Sequence, residues 1–214
     1  MAIQELWPLF GLRVETPRLL LRYPSDADLA ALACAAAAGI HDPSQMPFEI
    51  PWTDAPADRI PLNALQFWWG LRASWKAGAW TLTMAVAERE RLLGVQDLHA
   101  RDFAVSRQVA TGSWLTRSAQ GRGVGKEMRA AILHLAFAGL GAERAVSAAF
   151  DDNPASLAVS RALDYVENGD EIRSRRGRPA RHLNLLLTRE RWERHRRDDI
   201  RIEGLEPCLA LFGL

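Results

Sequence analysis

The sequence predicts an α+β fold with a mixed, mostly antiparallel sheet of seven strands flanked by helices. Three strand-like segments near the middle of the chain are separated only by short polar turns, as in an antiparallel meander. They read AWTLTMAVAE, RLLGVQDLHA and RQVATGSWLT. After them, helical and strand-like segments alternate. No low-complexity linker and no internal repeat divides the 214 residues. We therefore expect a single domain over residues 1–214, with a C-terminal extension from about residue 190.

Local signals define the elements before the meander. Residues 16–24, TPRLLLRYP, are a short apolar run bounded by prolines, which predicts a strand. The helix predicted over residues 25–39 begins with a serine cap and an acidic first turn and ends at a glycine. Residues 40–61 hold five of the eleven prolines, which exclude long regular structure, and their apolar side chains favour an ordered loop. Apolar residues at helical spacing predict another helix from about residue 62 to 78.

After the meander, a helix running to about residue 139 follows a glycine-rich stretch. The remaining predicted strands are ERAVSAAF, YVENGDEIRS and RHLNLLLTRE. Between the first two of these strands lies a helix with Asn153 as its cap and Pro154 in its first position. Residues 190–214 are expected to form a polar helix and a tail.

Composition excludes several classes of protein. The chain has 27 basic and 26 acidic residues, a balance that argues against a general nucleic-acid binder. Cys34 and Cys208 lie far apart without the spacing of a metal site, so we expect no metal and interpret both as buried or idle thiols. No apolar run approaches the roughly 20 residues that cross a bilayer, and the N-terminus lacks the pattern of a signal peptide. We expect a cytoplasmic protein without a membrane or nucleic-acid partner.

The stretch AQGRGVGKEMRAAI, residues 119–132, places three glycines at the start of a helix, where each costs roughly 1 kcal/mol relative to alanine. A Walker loop is excluded because Gln120 stands where its first glycine belongs and Glu127 where its Ser or Thr belongs. The glycine spacing and the preceding hairpins exclude a dinucleotide fingerprint. A third template, Gln/Arg-x-x-Gly-x-Gly/Ala between a strand and a helix, fits the sequence.

That template binds an anion at a helix N-terminus. The unpaired N–H groups of the first helical turn converge on one point, and the helix dipole adds to their attraction. Glycines let a pyrophosphate approach the backbone closely, and basic side chains add positive charge. The residues assigned to this loop are Gln120, Gly121, Arg122, Gly123, Val124, Gly125 and Lys126. Close packing of the glycines against the sheet is the alternative explanation.

These motifs together resemble the GNAT superfamily of acyl-CoA-dependent N-acyltransferases over roughly residues 14–190. Three segments are similar to the branch that acylates ribosomal-protein N-termini: ETPRLLLR, GSWLTRSAQGRGVGKEMRAAILHLAF and DDNPASLAVSRALDYVENG. Residues 41–53, HDPSQMPFEIPWT, and residues 152–161, DNPASLAVSR, resemble more closely a mycobacterial GNAT protein that depends on succinyl-CoA.

The resemblance implies a sheet whose fourth and fifth strands splay apart, so that acyl-CoA, as co-substrate, threads the V-shaped gap. Backbone groups of Trp114, Leu115 and Thr116 would pair with the pantetheine amides as an added strand does. The pyrophosphate would lie on the glycine loop. Asn153 would bond the pantetheine arm in addition to capping its helix, and Ser156 is a second residue of this kind.

Amide formation needs a neutral amine, and many GNAT members carry a glutamate base on the fourth strand. Here that strand has no carboxylate, so Asp97 and His99 on the neighbouring strand are the nearest alternatives, each weighed against an ordinary surface residue. The resemblance also implies a hydroxyl residue, often tyrosine, seven positions after the motif asparagine, to assist the leaving thiolate. That residue is Ser160, whereas Tyr165 is expected to pack in the core.

The proline-rich loop and the meander supply the expected substrate pocket. Its residues would be His41, Phe48, Trp52, Trp80, His99 and Arg101. A buried succinyl carboxylate needs a cation or several donors, and Arg101 is the only arginine in this group. The basic segment RSRRGRPAR, residues 173–181, is either a solvated hairpin or a contact for the 3′-phosphate of CoA or an acidic partner.

The sequence thus predicts an enzyme that transfers an acetyl or succinyl group from acyl-CoA to an amine of unknown identity, by direct attack on the thioester. Tryptophans on the helix at residues 62–78 suit a core or a dimer face, and we expect a homodimer or larger homo-oligomer. A non-catalytic acyl-CoA-binding sensor or partner-binding module is the alternative, because neither the usual glutamate nor the usual tyrosine is present.

Overall fold

A nine-stranded mixed sheet, rather than the expected seven strands, forms the centre of the computed structural model, which describes residues 2–214. The strands are β1 (Arg13–Glu15), β2 (Leu20–Arg22), β3 (Ala79–Glu88), β4 (Arg91–Arg101), β5 (Gln108–Leu115), β6 (Arg144–Phe150), β7 (Val166–Arg175), β8 (Arg178–Thr188) and β9 (Arg201–Glu203). They follow the order β7-β8-β6-β5-β4-β3-β2-β1-β9 across the sheet. The two additional strands, β1 and β9, are three residues long and pair with each other, so neither carries a detectable periodic pattern.

Some of the helices begin at a residue whose side chain caps the first turn, and the others lack a side-chain cap. They are α1 (Ile3–Leu6), α2 (Asp26–Ala37), α3 (Ile60–Ala73), α4 (Phe103–Ser106), α5 (Val124–His134), α6 (Pro154–Ala162), α7 (Arg189–Arg194) and α8 (Leu209–Phe212). The Ser25 hydroxyl accepts a hydrogen bond from the N–H of Asp28, whose carboxylate accepts one from the N–H of Ser25, which forms a capping box for α2. Among residues 2–214 we find no helix with both the length and the apolar character that crossing a bilayer requires.

The fourth and fifth predicted strands, β5 and β6, are parallel neighbours over a short distance only. The three residue pairs are Gln108 with Arg144, Val109 with Ala145 and Ala110 with Val146. Beyond them, β5 stays paired with β4 as far as Leu115, and β6 stays paired with β8 as far as Phe150. Each strand keeps its outer neighbour while the two inner edges separate. The expected V-shaped gap is therefore confirmed.

Helices cover both faces of the sheet. On one face, α5 packs over the core that contains Leu98 and Val109, and on the other, α2 and α3 pack over Val95 and Trp114. Side chains alternate between the two faces along a strand. The odd-numbered residues of β5 therefore face α5, and the even-numbered residues face α2 and the proline-rich loop.

Residues 190–214 fold back onto the domain, in contrast to the expected polar helix and tail. Their short elements α7, β9 and α8 bring Phe212 into the core with no exposed surface. The Phe212 ring packs against Trp75 and Trp80, with ring centroids 5.6 and 4.9 Å away. These contacts join segments far apart in the chain, which local patterns in the sequence do not reveal.

The close approach of β4 and β5 at Gly94 leads to a stability prediction. A methyl group on Gly94 would collide with the carbonyl oxygen of Trp114 and approach the Cα atom of Leu115 at 2.9 Å. We expect Gly94→Ala to lower the free energy of unfolding by at least about 2 kcal/mol, because main-chain atoms cannot move aside without breaking the strand pairing. Urea unfolding measures the change.

Gly70→Ala in α3 is the matched control. Apart from the backbone of α3 itself, no atom of residues 2–214 lies within 4 Å of a methyl group added there, and alanine is the better helix former. We expect this variant to gain about 0.5–1 kcal/mol. Wild-type stability in Gly94→Ala would contradict the close approach.

Candidate active site

The V-shaped gap opens into a cleft of about 1510 Å³. Pockets for one small ligand are typically about 300–1,000 Å³. Strands β5, β6 and β8 form the walls of the cleft, and the first turns of α5 and α6 line one end. Residues 40–49 and the tip of the β7–β8 hairpin lie across it. The volume is therefore sufficient for a long ligand together with a second molecule.

Ion pairs connect the proline-rich loop to the β7–β8 hairpin across this cleft. Arg176 donates hydrogen bonds to the Asp54 carboxylate and to the carbonyl oxygen of Pro43, and Arg173 pairs with Glu49 at 2.9 Å. These two basic residues of the segment 173–181 are thus neither purely solvated nor free for a phosphate. They join the two segments that cover the cleft.

The three glycines at the start of α5 differ in backbone conformation and in their surroundings. Gly121 and Gly123 have φ angles of +71° and +77°, a left-handed conformation in which a side chain is strained. Gly123 is the N-cap and offers no side chain, so the N–H groups of the first turn keep their capacity to bind a ligand. Gly125 differs, because a methyl group there would touch Val159 Cγ2 at 3.5 Å. Since 3.5 Å is an ordinary van der Waals contact, the packing of α5 against α6 would accept an alanine at this third position.

Nine of the predicted site residues meet in the wall of the cleft. They are His41, Phe48, His99, Trp114, Leu115, Gln120, Gly125, Asn153 and Ser156. The Gln120 amide donates hydrogen bonds to the carbonyl oxygens of Ile40 and Leu115, at 2.7 and 2.9 Å, and so holds the proline-rich loop against the end of β5. The Asn153 side-chain oxygen accepts the Ser156 N–H at 3.2 Å, which leaves the Asn153 NH₂ group available to a ligand.

The other residues of the predicted CoA-binding set lie outside the cleft wall. The exposed ones are Gly121, Arg122, Gly123 and Lys126, and the half-buried Thr116 follows β5. Arg122 donates a hydrogen bond to the Glu88 carboxylate at 3.1 Å. Val124 is fully buried, so only its backbone N–H can contact a ligand in the cleft.

Three predicted pocket residues lie outside the wall. Trp80 is 3% exposed within an aromatic cluster that includes α8, because its side chain faces the core under α5. Arg101 is exposed at the far end of β4. Trp52 stands behind Phe48, with 5.3 Å between the ring centroids. The structure thus corrects the placement of Trp80 and Arg101 and gives Trp52 a supporting position.

Asp97 lies on β4 directly beside Gly112 of β5. A methyl group on Gly112 would be 3.9 Å from Asp97 Oδ2, and Gly112 itself lines the cleft. The Asp97 Oδ1 atom is buried without a hydrogen-bond partner among residues 2–214, and burial raises the pKa of Asp97 from 3.8 to about 6. A carboxyl group with a pKa near neutrality suits a general base. Asp97 itself is not part of the cleft wall, and Gly112, which has no side chain, lies between this carboxylate and the cleft.

Two histidines occupy opposite walls of the cleft, His99 on β4 and His182 on β8. The surrounding protein and the Arg101 guanidinium lower the pKa of His99, and burial lowers the pKa of His182. Both imidazoles are therefore neutral near pH 7 and able to accept a proton. His182 carried no signal in the sequence, because its position opposite β4 depends on how β8 pairs with β6.

Ser160 lies inside α6 and not in the cleft wall. It is fully buried, and its hydroxyl lacks a hydrogen-bond partner within the described chain. Ser156, which lines the cleft, is one helical turn away on the same face. Tyr165 packs in the core as expected, at 5% exposure, with its hydroxyl likewise unpaired.

Arg129 is another cleft residue that the sequence did not indicate. It lies on α5, is 5% exposed, and donates hydrogen bonds to Ser113 Oγ of β5 and Ser147 Oγ of β6, each at 3.2 Å. Its side chain therefore spans the two strands that separate. An arginine in a helical pattern normally indicates a solvated side chain, which is why its burial had no signature.

The cysteines take no part in the cleft. Cys34 is exposed and Cys208 is buried, and both are free thiols. Burial raises the pKa of Cys208 to about 11, which makes it a poor nucleophile. Within residues 2–214, no group of three or more His, Cys, Asp or Glu side chains is arranged to hold a metal ion.

Two strands that separate after three residue pairs, with a helix N-terminus beside them and a large cleft between them, characterise this fold. A family model described as an acetyltransferase (GNAT) domain matches residues 18–166, and the chain belongs to this family. It is accordingly a CoA-dependent N-acyltransferase.

Solved structures share the fold at low sequence identity. Mycobacterium smegmatis RimJ in complex with CoA-disulfide is 20% identical, with a TM-score of 0.67 over 94% of this chain and 92% of that one. RimL, a ribosomal L7/L12 alpha-N-protein acetyltransferase in complex with coenzyme A, is 17% identical, with a TM-score of 0.63 over 81% and 95%. A chimera of spermidine N-acetyltransferase SpeG from Vibrio cholerae and hSSAT is 14% identical, with a TM-score of 0.65 over 82% and 98%. At these identities, the similarity establishes the fold alone.

The buried carboxyl group of Asp97 makes stability depend on pH. Folding raises the pKa of Asp97 from 3.8 to about 6, so the stabilisation present below about pH 4 is lost as the pH rises through 6. We expect Asp97→Asn to gain stability relative to the wild type between about pH 4 and pH 7, by up to about 3 kcal/mol. Urea unfolding of both proteins across this range measures the gain. A stability difference independent of pH would contradict the prediction.

Proposed function

We propose that this protein transfers an acetyl or succinyl group from acyl-CoA to an amine, by direct attack of the amine on the thioester. The V between β5 and β6 is the observation that carries the proposal, because its unpaired strand edges lead from the N-terminus of α5 into the cleft. An extended chain with amide groups can add to such an edge, and a pyrophosphate can bind at a helix N-terminus.

In this proposal, CoA enters along α5. The pyrophosphate binds the N–H groups of the glycine loop, and the pantetheine amides pair with the backbone of Trp114, Leu115 and Thr116. From the opposite side of the gap, Asn153 donates its free NH₂ group to the pantetheine arm, and Ser156 lies beside it. The thioester then lies deep in the V, where the amine can reach it from the face with the proline-rich loop.

The reaction needs two proton movements. The amine nitrogen attacks the carbonyl carbon, the C–N bond forms and the C–S bond breaks. One proton leaves the amine, and one proton returns to the thiolate, so that the products are an amide and free CoA. We propose Asp97 as the base that acts across Gly112, with His99 in the cleft wall as the neighbouring proton acceptor.

For the departing thiolate, we propose the Ser160 hydroxyl as hydrogen-bond donor. Its hydroxyl has no partner within residues 2–214, so it can donate to a sulfur that passes α6. Because Ser160 is fully buried, this contact requires the ligand to displace the side chains above it.

Two acyl donors, acetyl-CoA and succinyl-CoA, and several kinds of amine acceptor are compatible with this reaction. The cation expected for a succinyl donor, Arg101, lies outside the cleft wall. The acceptors named for structural neighbours include an α-amino group of a ribosomal protein and a polyamine. Both kinds of amine therefore belong in a test of this protein, beside a lysine side chain.

We also propose that the protein forms a homo-oligomer and is located in the cytoplasm. Leu62, Phe67 and Trp69 of α3 are exposed apolar side chains, which supports an interface with a second copy. Trp68 of the same helix packs in the core instead.

Release of free thiol tests the proposed function. Purified protein is incubated with acetyl-CoA or succinyl-CoA and with three amines: a peptide with a free N-terminus, an N-terminally blocked peptide with one lysine, and spermidine. We expect thiol release that depends on at least one amine, with the acylated product identified by mass. Tight CoA binding without release for any amine would instead support the non-catalytic sensor.

Substitution of Asn153 distinguishes a contact with CoA from a role in helix capping alone. Aspartate caps a helix as well as asparagine does, so Asn153→Asp keeps the cap of α6 but replaces the NH₂ donor by a negative charge. We expect CoA affinity to fall at least tenfold, about 1.4 kcal/mol, with unfolding stability nearly unchanged. Calorimetric titration with CoA measures the affinity, and unchanged binding would assign Asn153 to the cap alone.

A further inference from the structure

Arg129 marks the closed end of the V. Its hydrogen-bond partner Ser147 directly follows Val146, the last residue of β6 paired with β5, and its other partner, Ser113, lies on the parted edge of β5. Arg129 also lines the cleft. The side chain therefore lies at the end of the gap, at the point where an extended ligand must stop.

The charge of Arg129 has no counter-charge among residues 2–214. Both of its hydrogen bonds go to neutral hydroxyls, and its Nε atom has no hydrogen-bond partner within residues 2–214. The Tyr165 hydroxyl lies beside the guanidinium, but burial raises the pKa of Tyr165, so this neighbour is uncharged near pH 7. No carboxylate of the described chain forms an ion pair with Arg129. A buried cation is costly unless an anion accompanies it. Because 5% of the side chain is exposed, solvent cannot compensate for the missing partner. An anionic ligand group would supply it.

The face of the sheet on which Arg129 lies indicates which ligand supplies the anionic group. Ser113 is an odd-numbered residue of β5 and faces α5, the side on which the CoA loop lies. The proline-rich loop and His99 belong to the other face, from which the amine approaches. A group at the tip of the acyl chain, running toward the closed end of the V, reaches Arg129 from the donor side.

We propose that Arg129 binds the terminal carboxylate of a dicarboxylic acyl chain carried by CoA, of which succinyl is the short representative. This inference rests on the proposed CoA path and selects among its donors. The planar guanidinium already holds two serine hydroxyls, and each of its two NH₂ groups retains one further N–H that can donate to a carboxylate. The cation is thus in α5, and not at Arg101, where the sequence predicted it.

Equilibrium binding of two CoA esters tests the inference. Succinyl-CoA and butyryl-CoA have acyl chains of four carbons and differ in the terminal carboxylate. We expect wild-type protein to bind succinyl-CoA at least tenfold more tightly than butyryl-CoA in calorimetric titrations. In Arg129→Met, which replaces the cation with an uncharged side chain of similar length, we expect this preference to disappear.

Arg101→Met is the matched control, because it removes an exposed arginine outside the cleft wall. It should retain the preference for succinyl-CoA. If Arg129→Met does not fold, Arg129→Lys replaces it, and we expect a smaller but detectable preference because the charge remains without the planar fork. A preference undiminished in the Arg129 variant, or lost in Arg101→Met, would overturn the assignment.

Binding measurements on the wild-type protein alone test the dicarboxylic donor separately from the CoA path on which it rests. Equal or tighter binding of butyryl-CoA refutes the dicarboxylic donor, while acetyl-CoA binding and amine-dependent thiol release still support the acyltransferase. Failure to bind any CoA ester refutes the proposed CoA path itself.

Discussion

The separation of β5 from β6 after three residue pairs is the constraint on which the rest of this structure depends. Each strand retains its outer neighbour, so the sheet remains continuous while two inner edges lose their partners. Backbone N–H and C=O groups strongly favour hydrogen bonding. An edge that neither strand nor helix covers is therefore suited to water or to a ligand with amide groups of its own. The three remaining pairs between β5 and β6 keep all nine strands in one sheet.

The helices on either side of the gap follow from that separation. Because β5 and β6 are parallel, the chain must cross the sheet between them, and α5 forms this crossover. The start of α5 is thereby fixed at the open end of the V, next to the end of β5. The left-handed turn at Gly121 and Gly123 makes the sharp change of direction possible and leaves the first N–H groups uncapped. One crossover therefore places a helix N-terminus and a strand edge side by side.

Several buried polar groups near the same gap lack hydrogen-bond partners within residues 2–214. Buried polar groups in proteins usually have hydrogen-bond partners, but the side-chain groups of Arg129, Ser160, Tyr165 and Asp97 each retain an atom without one within residues 2–214. These residues come from β4, α5, α6 and the segment that precedes β7. Such groups raise the energy of the free protein, and a bound ligand can lower it by supplying partners. A substrate bound in the gap could therefore form hydrogen bonds that the protein itself does not provide.

Local chemistry in the sequence was sufficient to determine the alternation of elements, the Ser25 and Asn153 caps, the ordered proline-rich loop and the glycine-rich start of α5. Each of these features depends on neighbours within a few residues. Tertiary structure alone decided that Trp80 lies in the core, that Arg129 is buried between parted strands, and that Asp97 lies beside Gly112. The same is true of β9 pairing with β1 from the other end of the chain. The physical reason is that a side chain's burial and charge environment depend on residues distant in sequence, which only the paired sheet brings together.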